Sequence, residues 1–277
     1  MQAPAPGPAL WRAEREGNCA FLFGTMHVGI EQENWRTPLL NQLIEEAEIV
    51  LLERGQFART RLDVLLVTLL AQLAPAIRLR DALPESQWPQ LTLLCRELRI
   101  DIEKLGSLSP VVVSSILSGL ICERAGRRQE FGVDNALFRA AKDRCAPIES
   151  AHVWGQVFKR DVLHAMAQDP VVMSFDDLGS QIAKLEVLDD AYHAGDLALF
   201  AAQNLFKPGP FFDIFLGQRN KSWADSIERA TRKGKRTLAA GGLAHFMGEK
   251  SVCDFLAQRG FEITMVQGIP AKGIWPL

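Results

Sequence analysis

The sequence predicts an α/β fold: a central sheet sandwiched by helices, with a helical insertion in the middle of the chain. Three observations support this. Strand-like apolar runs alternate with helix-periodic segments near both ends of the chain. The run Glu48–Glu53 (EIVLLE) is apolar throughout its interior, as in a strand covered on both faces. Between the two ends, over 57–130, the apolar residues recur at helical spacing.

Taken in order, Cys19–Met26 is predicted as a strand, and Thr37–Ala47 as a helix with Leu39, Leu40, Leu43, Ile44 and Ala47 on one face. Glu48–Glu53 follows as a strand ending in a carboxylate. Arg61–Ala74, Glu85–Leu98 and Pro110–Ala125 are successive helices, the last opened by Ser109-Pro110 as cap and first helical position. Asp134–Asp143 is a further helix, for which Asp134 reads as an N-cap. Ala146–Glu149 is a short strand, again ending in a carboxylate. Asp176–Ala191 and Asp196–Asn204 are helices separated by Gly195-Asp196. Asp213–Lys233 is a long helix, Thr237–Ala240 a strand, Ser251–Arg259 a helix and Phe261–Val266 a final strand.

The 277 residues are expected to form a single domain over 1–277, with 9–56 and 211–277 building the sheet core. A formal charge of −2 argues against a nucleic-acid binder, and the basic cluster Arg229–Arg236 reads as a solvated helix end. No stretch suits a membrane span; Leu105–Cys122 is uncharged but holds Pro110 and several serines. Five cysteines without a C-x-x-C pair exclude the common zinc-ribbon and thioredoxin patterns and read as buried free thiols, one disulfide being open to an oxidising compartment. Met1–Pro8 lacks the features of a signal peptide and looks like the first residues of a mature exported protein, although a cytoplasmic start reads equally well.

The chemistry is carried by a repeated tetrapeptide. Gly24-Thr25-Met26-His27 closes one predicted strand, and Gly242-Leu243-Ala244-His245 follows another. Two of the five histidines in the same local context imply one site assembled from both ends of the chain. His27, Glu53, Glu149 and His245 all fall at or just beyond strand ends, where open α/β sheets bind ligands. Imidazoles with carboxylates are the donor set for zinc, manganese, cobalt or iron, and equally for a histidine base acting without metal. Thr25 is placed to hydrogen-bond a ligand. Arg219 can clamp a carboxylate or a carbonyl oxygen, and Trp223 falls one turn later on the same helix face. His152, His164 and His193 lie in helical context and read as structural. The absence of G-x-S-x-G, P-loop and G-x-G-x-x-G patterns argues against serine-hydrolase and nucleotide chemistry.

With these motifs the chain resembles the TraB/PrgY/GumN family, which is related to the Tiki proteases. The resemblance runs through Pro8-Ala9-Leu10-Trp11, Leu22-Phe23-Gly24-Thr25-Met26-His27-Val28-Gly29, the Glu53 strand and Gly132-Val133-Asp134-Asn135-Ala136-Leu137. It continues through Ile148-Glu149-Ser150 and Arg219-Asn220, then Gly242–Gly248, Phe255-Leu256 and Gly260-Phe261. It implies an α/β fold with a mixed sheet and a metal-dependent hydrolase, a peptidase, using a divalent metal such as Mn, Co or Zn. It implies His27, His245 and Glu53 as metal and catalytic residues, with Arg219 as a site arginine. Glu149, Asn220 and Thr25 are then the substrate-binding candidates. The expected partner is a peptide or small-molecule substrate, and the expected location periplasmic or extracellular. A sequestering protein for a peptide, pheromone or haem, and a metal-free esterase-type hydrolase, are the alternatives. Arg54-Gly55 departs from the usual pattern after the glutamate.

Overall fold

A computed structural model describes residues 4–31, 35–53, 78–108, 110–143, 148–150, 175–203 and 216–270. Among the described residues six strands form one sheet: β1 (Leu10–Arg15), β2 (Asn18–Thr25), β3 (Ile49–Leu52), β4 (Ile148–Ser150), β5 (Thr237–Gly242) and β6 (Glu262–Gln267), in the order β4-β3-β5-β2-β1-β6. β4, β3, β5 and β2 run parallel, whereas β1 pairs antiparallel with both β2 and β6, so the sheet is mixed.

β1 was not expected from the sequence. Its charged Arg12 and Glu14 interrupt the apolar pattern, yet Leu10, Trp11 and Ala13 are buried. A two-residue turn builds the β1–β2 hairpin: Arg15 faces Asn18, and Glu16 and Gly17 both adopt positive φ, 53° and 77°. Two positive φ values in succession match the right-handed twist of the flanking strands. In contrast, Ile49, Val50, Leu51 and Leu52 of β3 are all buried, as a continuous apolar run requires of a central strand.

Helix α1 (Pro38–Glu46) starts where expected, its Leu40 amide donating to the Thr37 hydroxyl, with proline at the first position. The helical middle contains α2 (Leu79–Ala82), α3 (Trp88–Leu98), α4 (Ile102–Gly106) and α5 (Pro110–Arg124). The helix expected over Arg61–Ala74 lies outside the described residues. Leu91, Leu94 and Leu98 of α3 meet Val113, Leu117 and Ile121 of α5 in an apolar cluster separate from the one beneath the sheet. The later helix α7 (Leu178–Ala194) joins this cluster through Leu178 and Leu185, and a half-buried Arg127–Asp189 ion pair ties it to the segment just after α5. α7 begins after its cap Asp177, whose carboxylate accepts from the Ser180 amide, and ends at Gly195 in the left-handed conformation.

Helices α6 (Val133–Asp143), α8 (Leu197–Ala202), α9 (Gln218–Thr231) and α10 (Val252–Ala257) complete the described set. α9 buries Arg219, Trp223 and Ile227 on one stripe. The first residues of the longer helix expected there fall outside the described segments.

Glycines at the strand ends make room for side chains. β2 and β5 pair with Gly24 opposite Gly241 and Thr25 opposite Gly242. A Cβ at Gly24 would lie 2.4 Å from Leu243 Cδ1, and one at Gly241 would lie 2.3 Å from the Trp223 ring. A Cβ at Gly242 would lie 2.9 Å from Nε2 of His27.

Gly132 is the less forgiving position, because its Cβ would sit 2.3 Å from the His27 carbonyl oxygen, a backbone atom that cannot rotate away. The same segment is bonded to the His27 loop by Gly29 N to Arg128 O, Arg128 N to Gly29 O and Val133 N to Met26 O. Gly132→Ala is therefore expected to destabilise the protein by about 2 kcal/mol or more. Gly119→Ala, at an exposed helix position with open space around its Cβ, is expected to stabilise it by about 0.5–1 kcal/mol. Urea denaturation of the two variants measures both.

Candidate functional site

The parallel strands β2, β3 and β5 deliver their carboxyl ends to one place. Thr25 ends β2, and His27 follows two residues later. Glu53 is the first residue beyond β3, and its amide still bonds to Ala240 O of β5. Beyond β5, the chain turns through a short 3₁₀ segment, Leu243–His245, which brings His245 back over the strand tip. The first turn of α9 adds Arg219 and Asn220, and the first turn of α6 adds Asp134.

Glu53 is the centre of this cluster and is only 3 % exposed. Its Oε1 accepts from Arg219 Nη2 at 2.5 Å, and its Oε2 accepts from the Gly242 amide at 3.2 Å. The two histidines approach opposite oxygens: His27 Nε2 lies 3.4 Å from Oε2, and His245 Nε2 lies 3.4 Å from Oε1. The pair of Gly-x-x-His motifs thus converges on one carboxylate.

Each imidazole is gripped at its other nitrogen. His245 Nδ1 is 2.5 Å from Asn220 Oδ1, and Asn220 turns its amide nitrogen to the Lys250 carbonyl at 2.9 Å. That second bond fixes the amide orientation, so Oδ1 is the acceptor and Nδ1 of His245 carries the proton. His245 Nε2 then presents an electron pair towards Glu53. The Trp223 indole packs edge-on against the His245 ring at 5.5 Å between centroids, and Phe246 and Trp11 extend the aromatic stack. His27 Nδ1 is 2.7 Å from Asp134 Oδ2, and Asp134 Oδ1 accepts from the Thr25 hydroxyl at 2.5 Å. The side chain of His27 is 43 % exposed against 5 % for His245, so the cluster opens to solvent on the His27 side.

Burial raises the cost of ionising Glu53, but the cationic forms of His245 and His27, the hydrogen bond from His245 and the Arg219 guanidinium outweigh it, holding the carboxyl well below its usual range. His245 is depressed as well: burial, helped by Arg219 and His27, lowers its affinity for a proton despite the neighbouring Glu53. Once His245 is neutral, the guanidinium and the Gly242 amide are what keep Glu53 ionised.

Of the residues expected from the sequence, His27, Glu53, His245 and Arg219 meet here. Thr25 and Asn220 are also present, each 1 % exposed and bonded inward to Asp134 and His245. Glu149 pairs through its backbone with Leu51 in β4, and its side chain lies outside the described residues, as does Arg54. Trp223 packs on His245. His193 bonds the Asp189 carbonyl within α7, while His152 and His164 lie outside the described residues. Asp134 was read as a helix cap; α6 begins one residue earlier, and the carboxylate faces Thr25 and His27 instead. Its place in the Gly132-Val133-Asp134 run was the only sequence signal.

Among the described residues, no group of three or more His, Cys, Asp or Glu is arranged to hold a metal ion. The two imidazoles face different oxygens of Glu53, and each of those oxygens already accepts a hydrogen bond. The donor chemistry nevertheless suits a divalent cation. Each 3.4 Å spacing, taken by itself and to its own oxygen, is close to the separation, roughly 3.4 Å, of two donors each ~2.1 Å from one tetrahedral ion. Cys19, Cys95, Cys122 and Cys253 are free thiols, and burial pushes Cys95, Cys122 and Cys253 above the usual thiol range, as expected of inert packing residues.

The sequence profile of the TraB/PrgY/gumN family matches residues 9–265, nearly the whole chain. Searches of curated proteins and of solved structures each found no match.

Two outcomes follow from the electrostatics. Arg219→Met leaves Glu53 buried without its guanidinium and is expected to cost about 3–5 kcal/mol. Acidification is expected to destabilise the metal-free protein in two stages. His245 is depressed in the folded state, so its contribution is complete above about pH 6.5 and is lost as pH falls below it, because the unfolded imidazole takes up the proton first. Glu53, also depressed, contributes above about pH 4.3 and loses that contribution as pH falls through its lower folded value. Unfolding free energies measured across this range should show a flatter first stage in His245→Asn; an unchanged slope would remove His245 from this account.

Proposed function

The chain belongs to the TraB/PrgY/gumN family, and we propose that it is a metal-assisted hydrolase, a peptidase, centred on His27, His245 and Glu53. The observation that supports this best is the pair of imidazole Nε2 atoms, each 3.4 Å from an oxygen of one buried carboxylate. For His245 the electron pair of Nε2 faces an ionised oxygen that accepts from Arg219 on another side, so a further positive charge between the two would meet a nitrogen and an oxygen donor. A proton on His245 is disfavoured by burial. A divalent cation such as Mn, Co or Zn supplies that charge and matches the nitrogen and oxygen donors.

His27 and His245 would hold the ion through Nε2, and Glu53 would complete the donors or orient a water beside them. When bound, such an ion polarises a scissile carbonyl and lowers the pKa of a water from ~16 towards ~7. Glu53, kept ionised by Arg219, would accept the proton that the attacking water loses. Arg219 keeps that carboxylate from rotating, and the Gly242 amide fixes its second oxygen. His27 marks the open side, from which a substrate carbonyl enters. A periplasmic or extracellular location belongs to the same reading and is supported by the family resemblance alone.

Protein purified without a metal-affinity tag, stripped with chelator and assayed on a mixed peptide library, is expected to gain cleavage on addition of Mn, Co or Zn. His27→Ala and His245→Ala are each expected to lose it by at least about a hundredfold with the fold intact. Undiminished cleavage by the stripped protein would favour direct base catalysis by histidine. Retention of peptide without cleavage on long incubation would favour a sequestering protein.

A further inference from the structure

We infer that Asp134 is the positioning residue of His27: its carboxylate fixes the imidazole proton on Nδ1 and so presents Nε2 to the Glu53 side, as a donor for a divalent cation. The inference rests on the proposed function only for the nature of that ligand.

Both oxygens of Asp134 are committed, one to the Thr25 hydroxyl at 2.5 Å and one to His27 Nδ1 at 2.7 Å. An ionised carboxylate only accepts, so the bond to Nδ1 requires the proton to sit there. The Thr25 bond prevents the carboxylate from turning, and Thr25 is itself fixed at the end of β2. Asp134 is 1 % exposed and is delivered by a segment bonded to the His27 loop, with Val133 N on Met26 O and Gly132 against the His27 carbonyl. The arrangement therefore holds the ring from its backbone and from its far nitrogen.

The two histidines need different kinds of support. His245 is almost wholly buried, with Trp223 against its ring and a neutral amide as partner. His27 has 43 % of its side chain exposed, so packing restrains it less and water competes for its nitrogens. A charged partner gives the stronger hydrogen bond and makes Nε2 more basic, as outer carboxylates do for metal-binding imidazoles. A structural role is the competing account: Asp134 sits in the first turn of α6, where a negative charge stabilises a helix. That role predicts lost stability with no change in the His27 tautomer.

The test reads the tautomer directly, in metal-free protein labelled with ¹⁵N in histidine and held above the ordinary histidine titration range, with His27→Gln assigning the resonances. The parent is expected to carry the Nδ1–H form at both His27 and His245. In Asp134→Ala, His27 is expected to move to a majority of Nε2–H while His245 is unchanged. Asp134→Asn gives His27 the kind of partner that Asn220 gives His245, and is expected to restore the Nδ1–H form. Zinc affinity, measured by competition with a chelating dye, is expected to fall about 10–100-fold in Asp134→Ala and to recover in large part in Asp134→Asn. An unchanged His27 tautomer in folded Asp134→Ala overturns the inference. Should that variant not fold, Thr25→Val, which frees the carboxylate without removing it, is expected to reduce the Nδ1–H population, and no reduction overturns the inference equally. A parent that binds no divalent ion defeats the proposed function, while the tautomer measurement still decides the role of Asp134.

Discussion

A single buried carboxylate governs the described site. Glu53 leaves β3 where the sheet ends, and its two oxygens draw in groups from β2, β5, α9 and the turn after β5. An isolated carboxylate so little exposed would be too costly to keep charged. Arg219 from the first turn of α9 and the Gly242 amide from the end of β5 offset that cost. Burial raises the proton affinity of the carboxyl, and the surrounding donors and positive charges override that effect.

The glycines of the repeated tetrapeptide, with Gly241 just before the second copy, serve this centre by leaving space. Gly241 admits the Trp223 ring, which packs on His245, and Gly242 admits the His27 imidazole while offering its amide to Glu53. Gly24 accommodates Leu243, the residue that starts the turn carrying His245. Each copy of the motif therefore clears room for the other: β2 and β5 lie side by side in parallel, and the strand ends share one volume. The partners at the outer nitrogens differ, a carboxylate for the open histidine and an amide for the buried one.

Much of the fold was legible in advance. The continuous apolar run of β3, the period of α1 and α3, and the Ser109-Pro110 start of α5 are local signals, and they led to the right elements within a few residues. β1 was missed because Arg12 and Glu14 face outward on an antiparallel strand whose buried residues, Leu10, Trp11 and Ala13, are too few to reveal a period. Within the site, the glycine–histidine repeat marked His27 and His245, and the strand end marked Glu53. Asp134 was hidden because an acidic residue at a helix start has an ordinary explanation, and nothing local distinguishes a cap from a carboxylate aimed at a distant ring.

By itself the sequence determined the class of fold, the strand ends from which chemistry is presented, and the kinds of donor available there. These follow from side-chain period and residue type, which are properties of short stretches of chain. Only the tertiary structure decided that β2 and β5 are neighbours, that one glutamate lies between both imidazoles, and which partner holds each ring. Those relations join residues more than a hundred positions apart in most cases, and their distances are set by strand order and helix packing, which no local pattern records.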